Sequence, residues 1–408
     1  MFYWIYDHPP LIIATLFAFL FASTTWAAMV CFRRFFSTWF HSESRGNDLL
    51  IFAISSFFVL YGILLGLLAV ATYTNTTAVN DIVTKEAGSL AVLYGDLHGL
   101  PDPMRGRLQN QLRDYTRNLI ERTWPQQRQG IVSNEGTHQL TQIMDDLMTY
   151  SPMSKGDEII YAEILHQVNT VLDVRRERLA SIGTAIPAVL WWVVGLGAVI
   201  SIVLIAMLDI AIHVHTIVAN SLSVFLASMI FAIAVTDNPF RGKTGVGSDA
   251  IQEVYETVMK TNTTLSESMA ALTAELAKLG VPRLVEADGA GNSVGTVPDL
   301  YFGSVKMNGR FDEIDRIASK DPLLSATIFV KSGDQFVRVA TTIRHDDNKR
   351  ALGTKLDPNG PVISQIRKGR AYYGEATILG KPYVTDYEPI FDADNKIIGI
   401  CYIGLSHQ

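Results

Sequence analysis

The chain has 408 residues, enough for two or three domains of ordinary size. Its net charge of −6 is spread over both halves, which argues against a nucleic-acid partner. Two cysteines, Cys31 and Cys401, supply neither a disulfide framework nor a cysteine metal site, and we expect no metal and no cofactor.

Long apolar stretches dominate the N-terminal part. Those without Asp, Glu, Lys or Arg are Leu11–Cys31, Leu49–Ala71, Ile186–Leu208 and Ile217–Thr236. About 20 helical residues cross a hydrocarbon core of about 30 Å, so each stretch is long enough to span. We predict a four-helix transmembrane domain in a lipid bilayer, formed by residues 1–247.

A polar, periodic segment, residues 72–185, separates the second and third spans. Its apolar residues recur at three and four positions, which is the spacing of one helical face. The predicted helices are Val79–Leu97, Pro103–Thr123, Glu135–Met148 and Gly156–Ser181. Because each apolar stripe needs a partner, we expect an extramembrane helical bundle, which makes the N-terminal half an all-α membrane domain.

A tight turn, Asp209–Thr216, is predicted between the third and fourth spans. His213 and His215 in this turn have the spacing of a metal-binding pair, but no third ligand is nearby. We interpret them as solvated turn histidines.

Residues 248–408 are predicted to form a second domain that begins with a long helix, residues 248–279. Its apolar positions repeat every seven residues: Ile251, Val258, Leu265, Leu272 and Leu279. Such a seam either couples the membrane part to the C-terminal domain or packs on its own domain. Both interpretations stay open.

Beyond this helix the apolar period drops to two, as in strands. The predicted strands are Ala326–Val330, Gln335–Ile343, Tyr372–Ile378, Pro382–Phe391 and Lys396–Leu405, with a short helix at Gly360–Lys368. A long helix followed by an antiparallel sheet is an α+β arrangement typical of sensor domains.

Five runs in this half resemble the Cache sensor family, in its single-Cache (Cache 3/Cache 2 fusion) branch. They are Ala326–Thr342 (ATIFVKSGDQFVRVATT), Arg350–Asp357 (RALGTKLD), Gly360-Pro361, Tyr383–Ile390 (YVTDYEPI) and Ile398–Gly404 (IGICYIG). The resemblance implies a PAS-like sheet that holds a small organic ligand, often an acid or an amine.

The N-terminal half resembles a bacterial membrane family that is distantly similar to bestrophins. The runs that carry this resemblance are Lys85–Tyr94 (KEAGSLAVLY), Trp124-Pro125, Arg175–Leu179 (RRERL), Pro187–Trp191 (PAVLW) and Asp237–Phe240 (DNPF). Bestrophins are pentameric anion channels, so the resemblance implies a homo-oligomer and, more distantly, ion conduction.

Motifs of common enzyme classes are absent from the sequence, and we expect no catalytic activity. Gly62 and Gly66 on the second span have the G-x-x-x-G spacing of close helix packing. Ser55, Phe58, Gly62 and Leu65 fall on one face, which is either part of a pore or an ordinary buried bundle face.

The predicted ligand site of the sensor centres on Arg338, which lies among apolar residues in a strand and is expected to share a face with Thr342. A buried guanidinium needs an acceptor, and its planar fork suits a carboxylate. The acceptor is either a ligand or a structural partner, Asp386 or Glu388, and the structural partner is slightly preferred. The candidate pocket walls are Tyr372, Tyr373, Tyr383 and Tyr387.

These patterns together favour a multipass protein of the bacterial cytoplasmic (inner) membrane. Arginines in the first loop place that loop in the cytoplasm and the sensor outside, whereas basic residues near the other span ends argue the reverse. The balance slightly favours an extracytoplasmic sensor. The leading hypothesis is a sensor that modulates a bestrophin-like assembly or ion channel, and the alternative is a non-conducting signalling module.

Overall fold

The structure, a computed structural model, describes residues 3–40, 44–208, 211–286 and 297–406. The chain divides into two compact units, Met1–Tyr255 and Glu256–Gln408. This division falls inside the helical region predicted over residues 248–279, and the domain boundary after residue 247 stays a prediction.

The described part of the first unit contains helices and the loops between them, and no strand. Its α-helices are α1 (Pro10–Phe40), α2 (Ser44–Asp96), α3 (Met104–Asn118), α4 (Trp124–Arg128), α5 (Glu135–Met148), α6 (Lys155–Ser181), α7 (Ala188–Ala206), α8 (Ile212–Thr236) and α9 (Asp249–Val254). One π-helical segment, Leu119–Thr123, joins α3 to α4.

Four helices are long and apolar enough to cross a membrane, as predicted, in α1, α2, α7 and α8. The second span differs from the prediction, because α2 runs on for 53 residues and includes the helix expected separately at Val79–Leu97. No Gly or Pro lies between the two predicted segments to end the helix.

The turn between α7 and α8 is shorter than predicted, so neither histidine lies in a turn, and the interpretation as solvated is wrong for His215, whereas His213 is exposed. Helix α8 begins at Ile212, so His213 and His215 are helical. His215 is buried, and its Nε2 lies 2.8 Å from the carbonyl oxygen of Ile205. Asp209 and Ile210 lie outside the described residues.

A buried ion pair joins three helices of the extramembrane part. The side chains of Arg178 on α6 and Glu86 on α2 are fully buried. Arg178 donates Nε–H and Nη2–H to the Glu86 carboxylate and Nη1–H to Gln127 Oε1 on α4. Its guanidinium carbon also lies 5.2 Å from the ring centre of Trp124. Burial lowers the pKa of Arg178, but the charges and hydrogen bonds of Glu86 and Tyr115 together outweigh burial, and the pKa is raised.

The second unit contains a five-stranded antiparallel sheet in the order β5-β4-β8-β7-β6. Its strands are β4 (Leu324–Ser332), β5 (Gln335–Thr341), β6 (Tyr372–Ile378), β7 (Lys381–Phe391) and β8 (Ile397–Ser406). Helix α10 (Thr261–Leu279) packs on one face of this sheet, and helix α12 (Pro361–Ile366) packs on the other. The predicted α+β class is confirmed.

Three short strands and one helix of this unit were not predicted. Strands β1 (Pro282–Val285), β2 (Asp299–Phe302) and β3 (Val305–Lys306) form a small antiparallel sheet, and helix α11 (Asp312–Ala318) follows. These segments are too short to show a clear period in sequence.

The heptad seam packs on its own domain over its second half. Leu265, Leu272 and Leu276 are buried in the core that α10 shares with the sheet. In the first half a π-helical segment, Tyr255–Lys260, shifts the helical phase. Met259 is therefore fully buried instead of the predicted Val258.

Replacing the buried carboxylate tests the importance of the ion pair. Glu86→Gln leaves the Arg178 charge buried without its counter-charge, and we expect a loss of about 3–5 kcal/mol in the free energy of unfolding. Asp173→Asn is the matched control, because Asp173 pairs with Arg176 on the exposed surface, where a pair contributes about 0–1 kcal/mol. Thermal melting of the purified full-length protein measures both changes. Equal melting temperatures for the two variants would contradict the assignment.

Candidate functional site

Arg338 is the buried cation of the second unit. It lies in the middle of β5, and only 6% of the residue is exposed. Its guanidinium carbon is 5.1 Å from the ring centre of Phe329 on β4, the neighbouring strand. Nη1–H donates to Thr354 Oγ1 at 2.6 Å, and Nε has no hydrogen-bond partner among the described residues.

No carboxylate of the described residues forms an ion pair with Arg338. The slightly preferred interpretation, a structural pair with Asp386 or Glu388, is therefore wrong. On β7, Asp386 is opposite Tyr373 and Ile403, and Glu388 is opposite Cys401. These three partners pack on the α10 side of the sheet. The face opposite to Arg338 therefore carries both carboxylates.

The surroundings of Arg338 are apolar and phenolic. Burial lowers the pKa of Arg338, and the phenol groups of Tyr387, Tyr402 and Tyr383 oppose this shift. Burial raises the pKa of Tyr387, and the nearby positive charge of Arg338 acts against that increase. Among the described residues, the lost hydration of this positive charge is therefore replaced by one side-chain hydrogen bond and by aromatic rings.

An aromatic row crosses the same face of the sheet. Tyr372, Tyr387 and Tyr402 are cross-strand neighbours on β6, β7 and β8. The ring centres of Tyr387 and Tyr402 are 4.8 Å apart, and those of Tyr372 and Tyr387 are 6.2 Å apart. Tyr383 also packs on this face. Sequence reasoning missed Tyr402, although its place in the alternation of the last strand could have indicated it.

Two predicted site residues, Thr342 and Tyr373, lie on the face of the sheet opposite to Arg338. A bulge between β4 and β5 pairs Ile328 with Ala340 but Phe329 with Arg338, so Val339 is an extra residue. The alternation of faces therefore reverses, and Thr342 does not share a face with Arg338. Thr342 Oγ1 instead accepts a hydrogen bond from the Ala326 N–H at 2.9 Å. The hydroxyl of Tyr373 donates to the carbonyl of Asn262 on α10 at 2.8 Å.

Two short elements lie beside this site. The segment 353–356 runs along the free edge of β5, where the Gly353 N–H donates to the Arg338 carbonyl at 2.9 Å and the Leu356 N–H donates to the Phe336 carbonyl at 2.9 Å. Helix α12 contributes buried apolar side chains to the core that contains Phe329 and Tyr387. The site is therefore covered, with its cation inside.

The predicted residues of the second span are only partly packed within one chain. Ser55 Oγ donates to the Ile51 carbonyl of its own helix at 2.8 Å, and Phe58 packs beside α1 and α7. Apart from the adjacent residues and backbone of α2 itself, no described atom lies within 4 Å of a Cβ built at Gly62 or Gly66. The close helix contact in this region occurs instead at Gly197 on α7, against the ring of Tyr61.

Comparison with known proteins gives two kinds of match. A bacterial bestrophin homologue from Klebsiella pneumoniae, phased by Zn-SAD, is 15% identical with a TM-score of 0.43, over 60% of this chain and 96% of that chain. A mutant of a Klebsiella pneumoniae bestrophin homologue is 14% identical with a TM-score of 0.45, over 60% and 98% of the two chains. No curated protein matches the chain.

Family models match both halves and confirm both resemblances inferred from the sequence. The model described as a Bestrophin-like domain matches residues 19–251, which is more than half of the chain. The model described as a Cache 3/Cache 2 fusion domain matches residues 246–408. The chain therefore belongs to the bestrophin-like family of membrane proteins, and its C-terminal part is a Cache sensor domain.

Proposed function

We propose that this protein is a ligand-regulated membrane channel, in which a small carboxylate bound by the Cache domain alters the permeability of the bestrophin-like domain. The observation that carries the proposal is Arg338, a buried guanidinium without a counter-charge among the described residues. An isolated buried charge is unfavourable, so a site that keeps one is suited to receive the opposite charge.

A carboxylate is the ligand group that fits this site best. The planar guanidinium fork binds a carboxylate through two parallel hydrogen bonds. Nε–H, which has no partner among the described residues, and the Nη2–H beside it form such a pair of parallel donors, while Nη1–H donates to Thr354. The rings of Tyr387 and Tyr402 offer apolar surface for the remainder of a small organic acid, while Tyr372 and Tyr383 extend the same face.

Ligand binding requires movement of the covering elements. Because Arg338 is only 6% exposed, a carboxylate reaches it when the segment 353–356 or α12 shifts away from the sheet. The ligand then binds the state in which these elements have shifted more tightly than the state in which they cover Arg338. Such a difference in affinity is required for a ligand to change the conformation of the protein. The helical segment 249–279 connects this domain covalently to the membrane part.

We further propose that the membrane part works as a homo-oligomer in the bacterial inner membrane, with the Cache domain extracytoplasmic. The second span supports association, because Gly62 and Gly66 have open space around them within one chain. Many large apolar side chains of the candidate spans are exposed, including Phe52 at 72% and Phe19 at 72%. Ser55, Gly62 and Gly66 are our candidates for helix packing or pore lining between copies.

Removing the buried cation should separate ligand binding from stability. Arg338→Met replaces an uncompensated charge by an apolar side chain of similar length. We expect the ligand-free protein to melt a few degrees higher, in line with about 1–2 kcal/mol of added stability. Thr354 keeps its hydrogen bond to the Ala351 carbonyl, so no new unpaired group results. A saturating carboxylate, at about 100 times its dissociation constant, should stabilise only the wild-type protein, by about 2.7 kcal/mol.

A screen of small organic acids by thermal shift on the full-length protein measures both effects. Arg344→Met is the matched control, since Arg344 is exposed beyond the end of β5 and donates to the Asn348 carbonyl. This control should leave both the melting temperature and the ligand shift unchanged. A ligand shift that survives Arg338→Met would sink the anchor assignment.

Reconstitution into planar bilayers tests the channel itself. We expect an acid that passes the thermal-shift screen to change the conductance of the wild-type protein several-fold and to have no effect on Arg338→Met. Electrical recording with and without the acid measures this difference. Membranes that stay impermeable under all conditions, with the ligand bound, would favour a non-conducting signalling module.

A further inference from the structure

A cavity lies in the first unit, among residues that the Arg338 site does not include. It has a volume of about 380 Å³, within the range of small-molecule sites, and it is partly open. Its walls come from the end of α6, the start of α7 and the residues that follow α8. The lining includes Gly183, Trp191, Asp237 and Arg241.

The cavity lies at the ends of two candidate spans. Helix α7 begins at Ala188, and helix α8 ends at Thr236, one residue before Asp237. Trp191 lines the cavity, and the neighbouring Trp192 is 71% exposed. Tryptophan is enriched at the headgroup level of a bilayer. This cavity therefore lies where a lipid headgroup would meet the protein.

Charged groups of both signs line the cavity. The Asp237 carboxylate accepts hydrogen bonds from the Ile186 N–H at 2.6 Å and from Trp191 Nε1 at 3.1 Å. Arg241 Nη2 donates to the Gln129 carbonyl at 2.9 Å, which holds the guanidinium at the cavity wall. A simple anion would be attracted by Arg241 but repelled by Asp237. A group that carries both a phosphate and an ammonium complements both side chains.

We propose that this cavity binds the headgroup of an amine-bearing phospholipid, with its phosphate on Arg241 and its primary ammonium near Asp237. The exposed apolar side chains of Val189, Trp192 and Leu196 on α7 offer a surface for the acyl chains. A quaternary ammonium lacks the N–H donors that a carboxylate accepts. The site therefore distinguishes phosphoethanolamine from phosphocholine.

Native mass spectrometry of the detergent-purified full-length protein tests the assignment. We expect dioleoylphosphatidylethanolamine to bind at least about tenfold more tightly than dioleoylphosphatidylcholine or dioleoylglycerol, as the loss of a charge-assisted hydrogen bond implies. Soluble glycerophosphoethanolamine should bind much more weakly, because it lacks acyl chains. Equal binding of the soluble compound, or of dioleoylglycerol, would overturn the lipid headgroup as the ligand.

Two variants remove the site in different ways. Arg241→Gln removes the phosphate partner, and Gly183→Leu fills the cavity, since a Cβ built at Gly183 meets open space. Each should weaken retention of dioleoylphosphatidylethanolamine by about tenfold or more. The matched controls are Arg176→Gln, an exposed arginine outside the cavity, and Gly88→Leu, whose Cβ also meets open space. If Arg241→Gln fails to fold, Gly183→Leu decides, and unchanged retention in Gly183→Leu rejects the proposal.

Discussion

A buried guanidinium must be given a partner, and the extramembrane part of the first unit is arranged around that constraint. Arg178 is fully buried, and its donors reach Glu86 on α2 and Gln127 on α4. Trp124 lies against its face, and the ring centre of Trp124 is 5.7 Å from that of Phe240. Runs that are far apart in the sequence, which carried the bestrophin-like resemblance, thus meet at one ion pair.

Arg338 is also a buried arginine, but unlike Arg178 it has no ion pair among the described residues. Both guanidinium groups are buried and both lie near an aromatic ring, but only Arg178 has a carboxylate beside it. The protein therefore uses the same chemical group in two ways. In the helical unit it joins three helices through an ion pair, whereas in the Cache domain it lies over an aromatic ring, with no ion pair among the described residues.

Sequence alone predicted the features that depend on length and period. The four apolar stretches identified the candidate spans, and the alternation of apolar residues identified the main sheet. It did not predict where a local irregularity changes the phase. The π-helical segment Tyr255–Lys260 shifted the heptad seam, and the bulge at Val339 moved Thr342 to the other face. The π-helical segment and the bulge each add a residue to the regular repeat, and no residue type at these positions indicates the irregularity in the sequence.

The sequence predicted Arg338 and three tyrosines that lie beside it, but it did not predict which other side chains contact Arg338. Arg338, Tyr372, Tyr383 and Tyr387 do lie on one face. Asp386 and Glu388 were assigned as partners from charge alone, and only strand register shows that they point to the other face. Tyr402 was missed because its closeness to Tyr387 is a cross-strand contact, which is invisible in the order of residues.

The length of α2 has a mechanical consequence. Its 53 residues extend about 80 Å at 1.5 Å per residue, whereas a hydrocarbon core is only about 30 Å thick. Much of α2 therefore extends outside the bilayer. Glu86 lies on this extramembrane part. A tilt of a few degrees about the membrane end moves the outer end by several Å, because displacement grows with distance from the pivot. A displacement of Glu86 at the Arg178 contact would therefore tilt the membrane-crossing part of α2, because both belong to one continuous helix.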